Sequence, residues 1–148
     1  PADFANARFA ANSLLSHSGY GAPQAWAKAR GFLFGAPLVT GAHGKSLEAV
    51  ATGVADIATI DAQTWTMQQH DRAHTADVAV IGVTGSSPGM TFITRKGQES
   101  APYFAAIKAA IAALHPDDAR ILGLRGIHRL PDAAFDMAMP PLPAAIDA

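Results

Sequence analysis

The chain has 148 residues, 49% of them hydrophobic and 16% charged, with a formal net charge of -1 from 11 basic and 12 acidic side chains. A chain of that size buries roughly two-thirds of the surface it exposes when unfolded, so one globular domain or two small lobes is expected. Neither sign of charge forms a long run, which argues against a nucleic-acid or polyanion surface and means that any anion must be caught locally.

Cysteine is absent, and a chain without thiols reads the same in cytosol and periplasm. No apolar run reaches the roughly 18 residues of a membrane-spanning helix, and Pro1-Ala2-Asp3-Phe4 lacks the basic and apolar regions of a signal peptide. The chain is therefore expected to be soluble as given. It opens almost directly into a strand-like segment, as an excised fragment would.

In chain order, Ala7 to Asn12 is short and apolar and predicts a strand, followed by the loop Ser16-His17-Ser18-Gly19-Tyr20 and a helix over about 19 to 30. Gly31 stands where a left-handed C-terminal cap is expected. Pro37 to Thr40 predicts a short strand, Gly41-Ala42-His43-Gly44 a turn, and Lys45 to Thr52 a helix stopped by Gly53. Asp56 to Ile60 predicts another strand, with Asp61 as N-cap of a helix running toward Gln69.

Asp77 to Val83 and Met90 to Thr94 read as two further buried strands. Helices follow over about Ala101 to Leu114 and Asp117 to Leu122, then a proline-rich tail around Pro140-Pro141-Leu142-Pro143. This alternation predicts an α/β fold with helices on the faces of a sheet. Trp26, Trp65, Phe92, Phe104 and Phe135 are the expected aromatic core, and Arg95, Lys96 and Arg129 are expected in solvent.

Three loops carry chemistry, each where an α/β sheet presents strand ends and helix starts. In the first, the Ser16 and Ser18 hydroxyls, the helix-start amides and Gly19 would make an oxyanion cradle, or else an ordinary serine cap and glycine turn. Thr40 to Ser46 holds His43 and Lys45 between glycines, but the phosphate-loop spacing needs a glycine where Val39 stands, and no strand of adequate length precedes it. His43 is either a donor to an anion or an exposed loop histidine. Asp61 either caps its helix or accepts from a ligand proton or amine.

Ser18, His43 and Asp61 also allow a hydrolase triad by residue type, yet the serine lacks the G-x-S-x-G elbow. His70 and His74 would share a helix face as metal ligands, but no H-E-x-x-H pattern exists and Gln69, Asp71 and Arg72 suggest a wet surface. No cofactor, metal or nucleic-acid partner is expected.

The segments Asn12 to Tyr20, Thr40-Gly41-Ala42-His43 with Ser46 to Val50, and Gly53 to Asp61 occur in an order that resembles the second half of phosphate/phosphonate-binding proteins of ABC importers. Pro88 to Thr94 and Leu122 to Gly126 continue the resemblance in order. It implies a periplasmic-binding-protein-like sheet flanked by helices, one complete lobe (residues 4–84) plus part of the second (85–148), the first part of that second lobe being outside this chain. It further implies reversible, non-enzymatic capture of a small oxyanion (phosphate, phosphite, phosphonate or phosphate ester) between the lobes, in the periplasm, for a membrane ABC permease. A ligand-sensing domain of the same fold is the alternative. Carried over by motif, the ligand contacts are Ser16, Ser18, Gly19, Tyr20, His43 and Asp61, with the Gly19 and Tyr20 amides among the oxyanion donors. No arginine stands in these loops, so an anion would be neutralised by hydroxyls, amides and His43.

Overall fold

The sheet is built around its most apolar segment. Phe9, Ala10 and Ala11 form β1 (Phe9–Ala11) and are all buried, as a strand covered on both faces requires. In the computed structural model, which describes residues 2–71, 74–89 and 91–136, β1 lies between β2 (Leu38–Val39) and β3 (Ile57–Ala58) in a parallel sheet of order β2-β1-β3. Ala10 and Ala11 pair with Leu38 and Val39, and Phe9 and Ala10 pair with Ile57 and Ala58. Parallel neighbours need crossovers, and α1 (Ala22–Lys28) and α2 (His43–Ala51) supply them.

Side chains alternate across a strand, so β1 faces two cores. Phe9 and Ala11 pack with Tyr20, Ala27 and Phe34 on one face, and Ala10 packs with Ala49 and Ala55 on the other. Phe34 stacks on Phe9 at 4.7 Å between ring centroids. Gln24, buried on α1, holds Phe34 there: its Nε2 donates to the Phe34 carbonyl and its Oε1 accepts from the Phe34 amide. Covering Phe9 in this way contributes about 1.5–3 kcal/mol relative to leaving it exposed.

The helix ends follow the sequence signals. Gly31 has φ 83°, and the Phe32 amide reaches back to the Ala27 carbonyl at 3.2 Å, the closing bond of a left-handed glycine cap. Asp61 caps α3 (Ala62–Asp71). The first helix is shorter than expected, because residues 17–21 form one wider turn, His17–Gly21, before α1 begins.

The two later strands are not formed among the described residues. Thr75–Asp77 is a 3-10 turn, and residues 78–89 and 91–94 have no regular structure, with Val80, Ile81, Val83, Phe92 and Ile93 exposed. A strand exists only through hydrogen bonds to a neighbour, and apolar alternation without one does not produce it. Phe92 is 71% exposed and Phe135 38%, so neither is core, and no described residue after Ala55 is buried.

The described residues fall into two compact units, 2–85 and 86–136. The second contains α4 (Ala101–Ala112) and α5 (Pro116–Leu122), each with proline in its first turn, as the sequence indicates. Within it, Arg129 is not simply in solvent: its guanidinium sits 4.8 Å over the Phe104 ring and 3.3 Å from Ser100 Oγ. No helix among the described residues is long and apolar enough to cross a membrane. The proline-rich tail lies outside the described residues. The fold is α/β, a small parallel sheet flanked by helices.

Candidate functional site

In the order β2-β1-β3 the chain leaves β1 for one neighbour through α1, then crosses through α2 to the other. The connections diverge at the C-terminal end of β1, the position where open α/β sheets bind ligands. The three chemistry-bearing loops, residues 12–21, 40–43 and 59–61, follow the C-terminal ends of β1, β2 and β3.

In the first loop Ser16 is an extended N-cap. Its Oγ accepts from the Gly19 amide at 3.0 Å, and its carbonyl accepts from the Tyr20 and Gly21 amides, both at 3.0 Å. The Gly19 and Tyr20 amides expected to hold an oxyanion are thus engaged within the loop, and the Tyr20 side chain belongs to the core. Gly19 packs closely, since a Cβ there would stand 1.8 Å from Asn12 Oδ1 and the Asn12 side chain would have to turn away. Thr59 Oγ1 donates to the Gly19 carbonyl at 3.0 Å and ties this loop to the end of β3.

The second loop is held by the Thr40 amide on the Ala11 carbonyl, 2.9 Å, and the Gly41 amide on the Asn12 carbonyl, 3.1 Å. Thr40 Oγ1 and the buried Ser46 Oγ are 2.7 Å apart. These bonds start α2 at His43, beside the end of β1. The third loop fixes Asp61, whose Oδ1 accepts from the Thr64 amide at 2.8 Å and whose Oδ2 accepts from Thr64 Oγ1 at 2.5 Å.

Ser18, His43 and Asp61 meet. Ser18 Oγ is 3.1 Å from His43 Nε2, Asp61 Oδ2 is 3.3 Å from the same nitrogen, and Ser16 Oγ is 3.5 Å from Ser18 Oγ. The His43 side chain is 12% exposed and that of Asp61 33%. Burial pushes the Asp61 carboxyl up, but the Thr64 hydroxyl and amide, with smaller help from His43 and the Gln63 amide, pull it further down, so it lies below the usual carboxylate range.

That geometry decides what the group can do. A carboxylate only accepts, so Asp61 favours a proton on His43 Nε2. In a serine-histidine-carboxylate relay the serine and the carboxylate bond opposite ring nitrogens, with the nitrogen facing the serine left bare. Here both crowd one nitrogen, and His43 Nδ1 is buried with no hydrogen-bond partner among the described residues. The arrangement suits holding a ligand by hydrogen bonds better than activating Ser18.

His70 and His74 do not share a helix face, because α3 ends at Asp71 and His74 follows in a left-handed conformation. No group of three or more metal-binding side chains occurs among the described residues. Sequence reasoning left Asn12, Thr59 and Thr64 out of the site. Asn12 was visible as the polar residue that ends the β1 segment, and its Oδ1 is buried without a hydrogen-bond partner among the described residues. An open cavity of about 340 Å³ lies at the opposite edge of the sheet, between Asp3, Phe4, Ala7, Asp56 and Ile57. Its chemistry is weaker than that of the switch point, because the Asp56 carboxylate is already bound by Arg8.

No curated protein and no solved structure matches the chain. A family model described as ABC transporter, phosphonate, periplasmic substrate-binding protein matches residues 1–137. With that match spanning nearly all of a chain whose α/β sheet gathers its polar side chains at the switch point, the chain belongs to the phosphonate-binding family of ABC-transporter periplasmic substrate-binding proteins.

Proposed function

We propose that this substrate-binding protein captures a small phosphorus oxyanion at the C-terminal edge of its sheet, reversibly and without covalent chemistry, and delivers it to an ABC permease from the periplasm. Phosphate, phosphite, phosphonates and phosphate esters are the candidate ligands. Residues 4–84 act as the ligand-binding lobe, and residues 85–148 belong to the second lobe. The observation that carries the reading is the convergence of Ser18 Oγ and Asp61 Oδ2 on His43 Nε2 at the switch point.

Ser16, Ser18 and His43 supply the donors, and the start of α2 adds its dipole. That dipole is worth about 0.3–1 kcal/mol at an exposed site, whereas each hydrogen bond to a charged group is worth about 1.5–3 kcal/mol. Affinity therefore rests on the side-chain donors. Family membership supports the transport role and the phosphonate class.

The test is thermal unfolding against phosphate, phosphite, methylphosphonate, a phosphate ester and sulfate. A ligand at about 100 times its dissociation constant adds about 2.7 kcal/mol, which moves the midpoint by several degrees. A selective shift with a phosphorus oxyanion is expected. Ser18→Ala should then weaken that ligand about tenfold or more, and a loss within about threefold, under roughly 1 kcal/mol, would remove Ser18 from the cradle.

A further inference from the structure

We infer that Thr59 is a positioning residue for the site: its hydroxyl fixes the turn that carries Ser18 against the strand that leads into Asp61, and so sets how Ser18 meets His43. The inference rests on the oxyanion reading above and adds how the same site is held in shape for its ligand.

The three loops are not held alike. Residues 40–43 are laid against the end of β1 by main-chain bonds, the Thr40 amide to the Ala11 carbonyl at 2.9 Å and the Gly41 amide to the Asn12 carbonyl at 3.1 Å. Between β1 and β3 the paired residues end at Ala10 and Ala58. Thr59 is the next residue, and its Oγ1 donates at 3.0 Å to the carbonyl of Gly19, 40 residues away in the chain. A side chain thus continues the tie between the two strands' loops where the backbone pairing stops.

That bond lands one residue after Ser18. Gly19 is pinned at both ends: its amide donates to Ser16 Oγ at 3.0 Å, and its carbonyl accepts from Thr59. The first tie comes from the same loop and moves with it. The second fixes the wide turn to the end of β3, and the groups it holds in relation, Ser18 and Asp61, are the two that share His43 Nε2, at 3.1 and 3.3 Å. A turn with glycines at two of its five positions has much conformational freedom to lose, and ordering it when ligand arrives would subtract from affinity. Held in advance, it loses little. Without the hydroxyl, the part-buried Gly19 carbonyl gives up a donor, and the turn shifts to regain one.

Thr59→Val tests this, since valine keeps the β-branched shape and drops the hydroxyl, whereas Thr59→Ser keeps the hydroxyl and drops the methyl group. The measurement is titration calorimetry of the full chain with inorganic phosphate and with methylphosphonate. Whichever anion wild type binds should be weakened about tenfold, about 1.4 kcal/mol, in Thr59→Val and should stay within about threefold in Thr59→Ser. Thr59→Ala should repeat the valine result, which covers a valine that disturbs folding. A merely structural threonine would lower the unfolding midpoint in the variants without the hydroxyl and leave affinity in place. That outcome overturns the inference, as does a loss that serine fails to rescue.

A double-mutant cycle locates the action. If Thr59 works through Ser18, adding Thr59→Val to Ser18→Ala should weaken the anion by less than about threefold beyond Ser18→Ala alone, and a further loss of about tenfold overturns the inference. A last readout needs no ligand. The His43 ring resonances should move in the NMR spectrum of Thr59→Val and keep their wild-type positions in Thr59→Ser, because the Ser18 contact with the ring changes only in the first. Resonances that stay in place in both overturn the inference while the oxyanion reading stands. Binding of neither anion by wild type overturns both.

Discussion

The two edges of the same three-stranded sheet each hold a cation-forming side chain against a carboxylate, and they do so in different ways. At the N-terminal edge the Arg8 guanidinium grips Asp56 with Nη2 on Oδ1 at 2.5 Å and Nε on Oδ2 at 3.0 Å, and the Arg8 amide adds a third bond at 2.8 Å. Both side chains are about half exposed, and the Asp56 and Ile57 amides bond back to the Arg8 carbonyl, strapping β1 to β3. At the C-terminal edge His43 is nearly buried, divides one nitrogen between Ser18 and Asp61, and keeps its other nitrogen without a partner among the described residues. At the first edge both Asp56 oxygens are held by Arg8, and the pair serves to tie β1 to β3. At the second, Ser18 and Asp61 share His43 Nε2 at 3.1 and 3.3 Å, contacts that the proposed oxyanion ligand would exchange.

The largest expected break in that comparison comes from Gly19→Ala. Its methyl group would stand 1.8 Å from Asn12 Oδ1, so the Asn12 side chain must turn away or the Ser16 loop must move. Overpacking of this kind costs typically 1–3 kcal/mol, about 4–8 °C or more in the unfolding midpoint of a small domain, and it should weaken the oxyanion ligand as well. Adding Asn12→Ala removes the colliding oxygen. A double-mutant cycle in which stability recovers would assign the penalty to this contact, and additive losses would show that the loop needs glycine for another reason.

Much of this site can be read from the chain. Serine and aspartate caps, and glycines at helix ends, mark where strands hand over to helices, and the resemblance to phosphate/phosphonate-binding proteins then makes Ser16, Ser18, His43 and Asp61 candidate ligand contacts. What spacing cannot carry is direction. The Gly19 and Tyr20 amides look available at a helix start, yet Ser16 consumes both, and the sharing of one imidazole nitrogen is a fact of three dimensions. The fold divides the same way. The segments of β1, β2 and β3 sit beside one another and become strands, whereas residues 78–83, richer in β-branched side chains, have no pairing neighbour among the described residues and stay irregular. Local propensity is written in the sequence, and the partner that turns it into a strand is not.

An intermediate effect is expected at His43. His43→Gln keeps a hydrogen-bond donor in the site and removes the ability to carry charge. Affinity for methylphosphonate should fall about tenfold, and more at acidic than at alkaline pH if it is the charged form that holds the anion. An equal loss at both would make His43 a neutral donor, and the electrostatic contrast between the two edges would narrow to geometry alone.

The smallest effect belongs to the strap. Arg8 holds Asp56 down from 3.8 to about 2, first through its side-chain hydrogen bonds and then through its backbone amide. Because the folded value is below the unfolded one, the pair stabilises the fold above the ordinary carboxylate range and loses that contribution as pH falls from about 4 through about 2. Both groups are exposed, so salt screens the pair and its worth is small. Asp56→Asn should lower the unfolding midpoint slightly at neutral pH, converge with wild type near pH 2, and leave methylphosphonate affinity unchanged. If affinity falls instead, the two edges of the sheet are coupled through β1 and β3, and the strap must be counted as part of what holds the switch point in place.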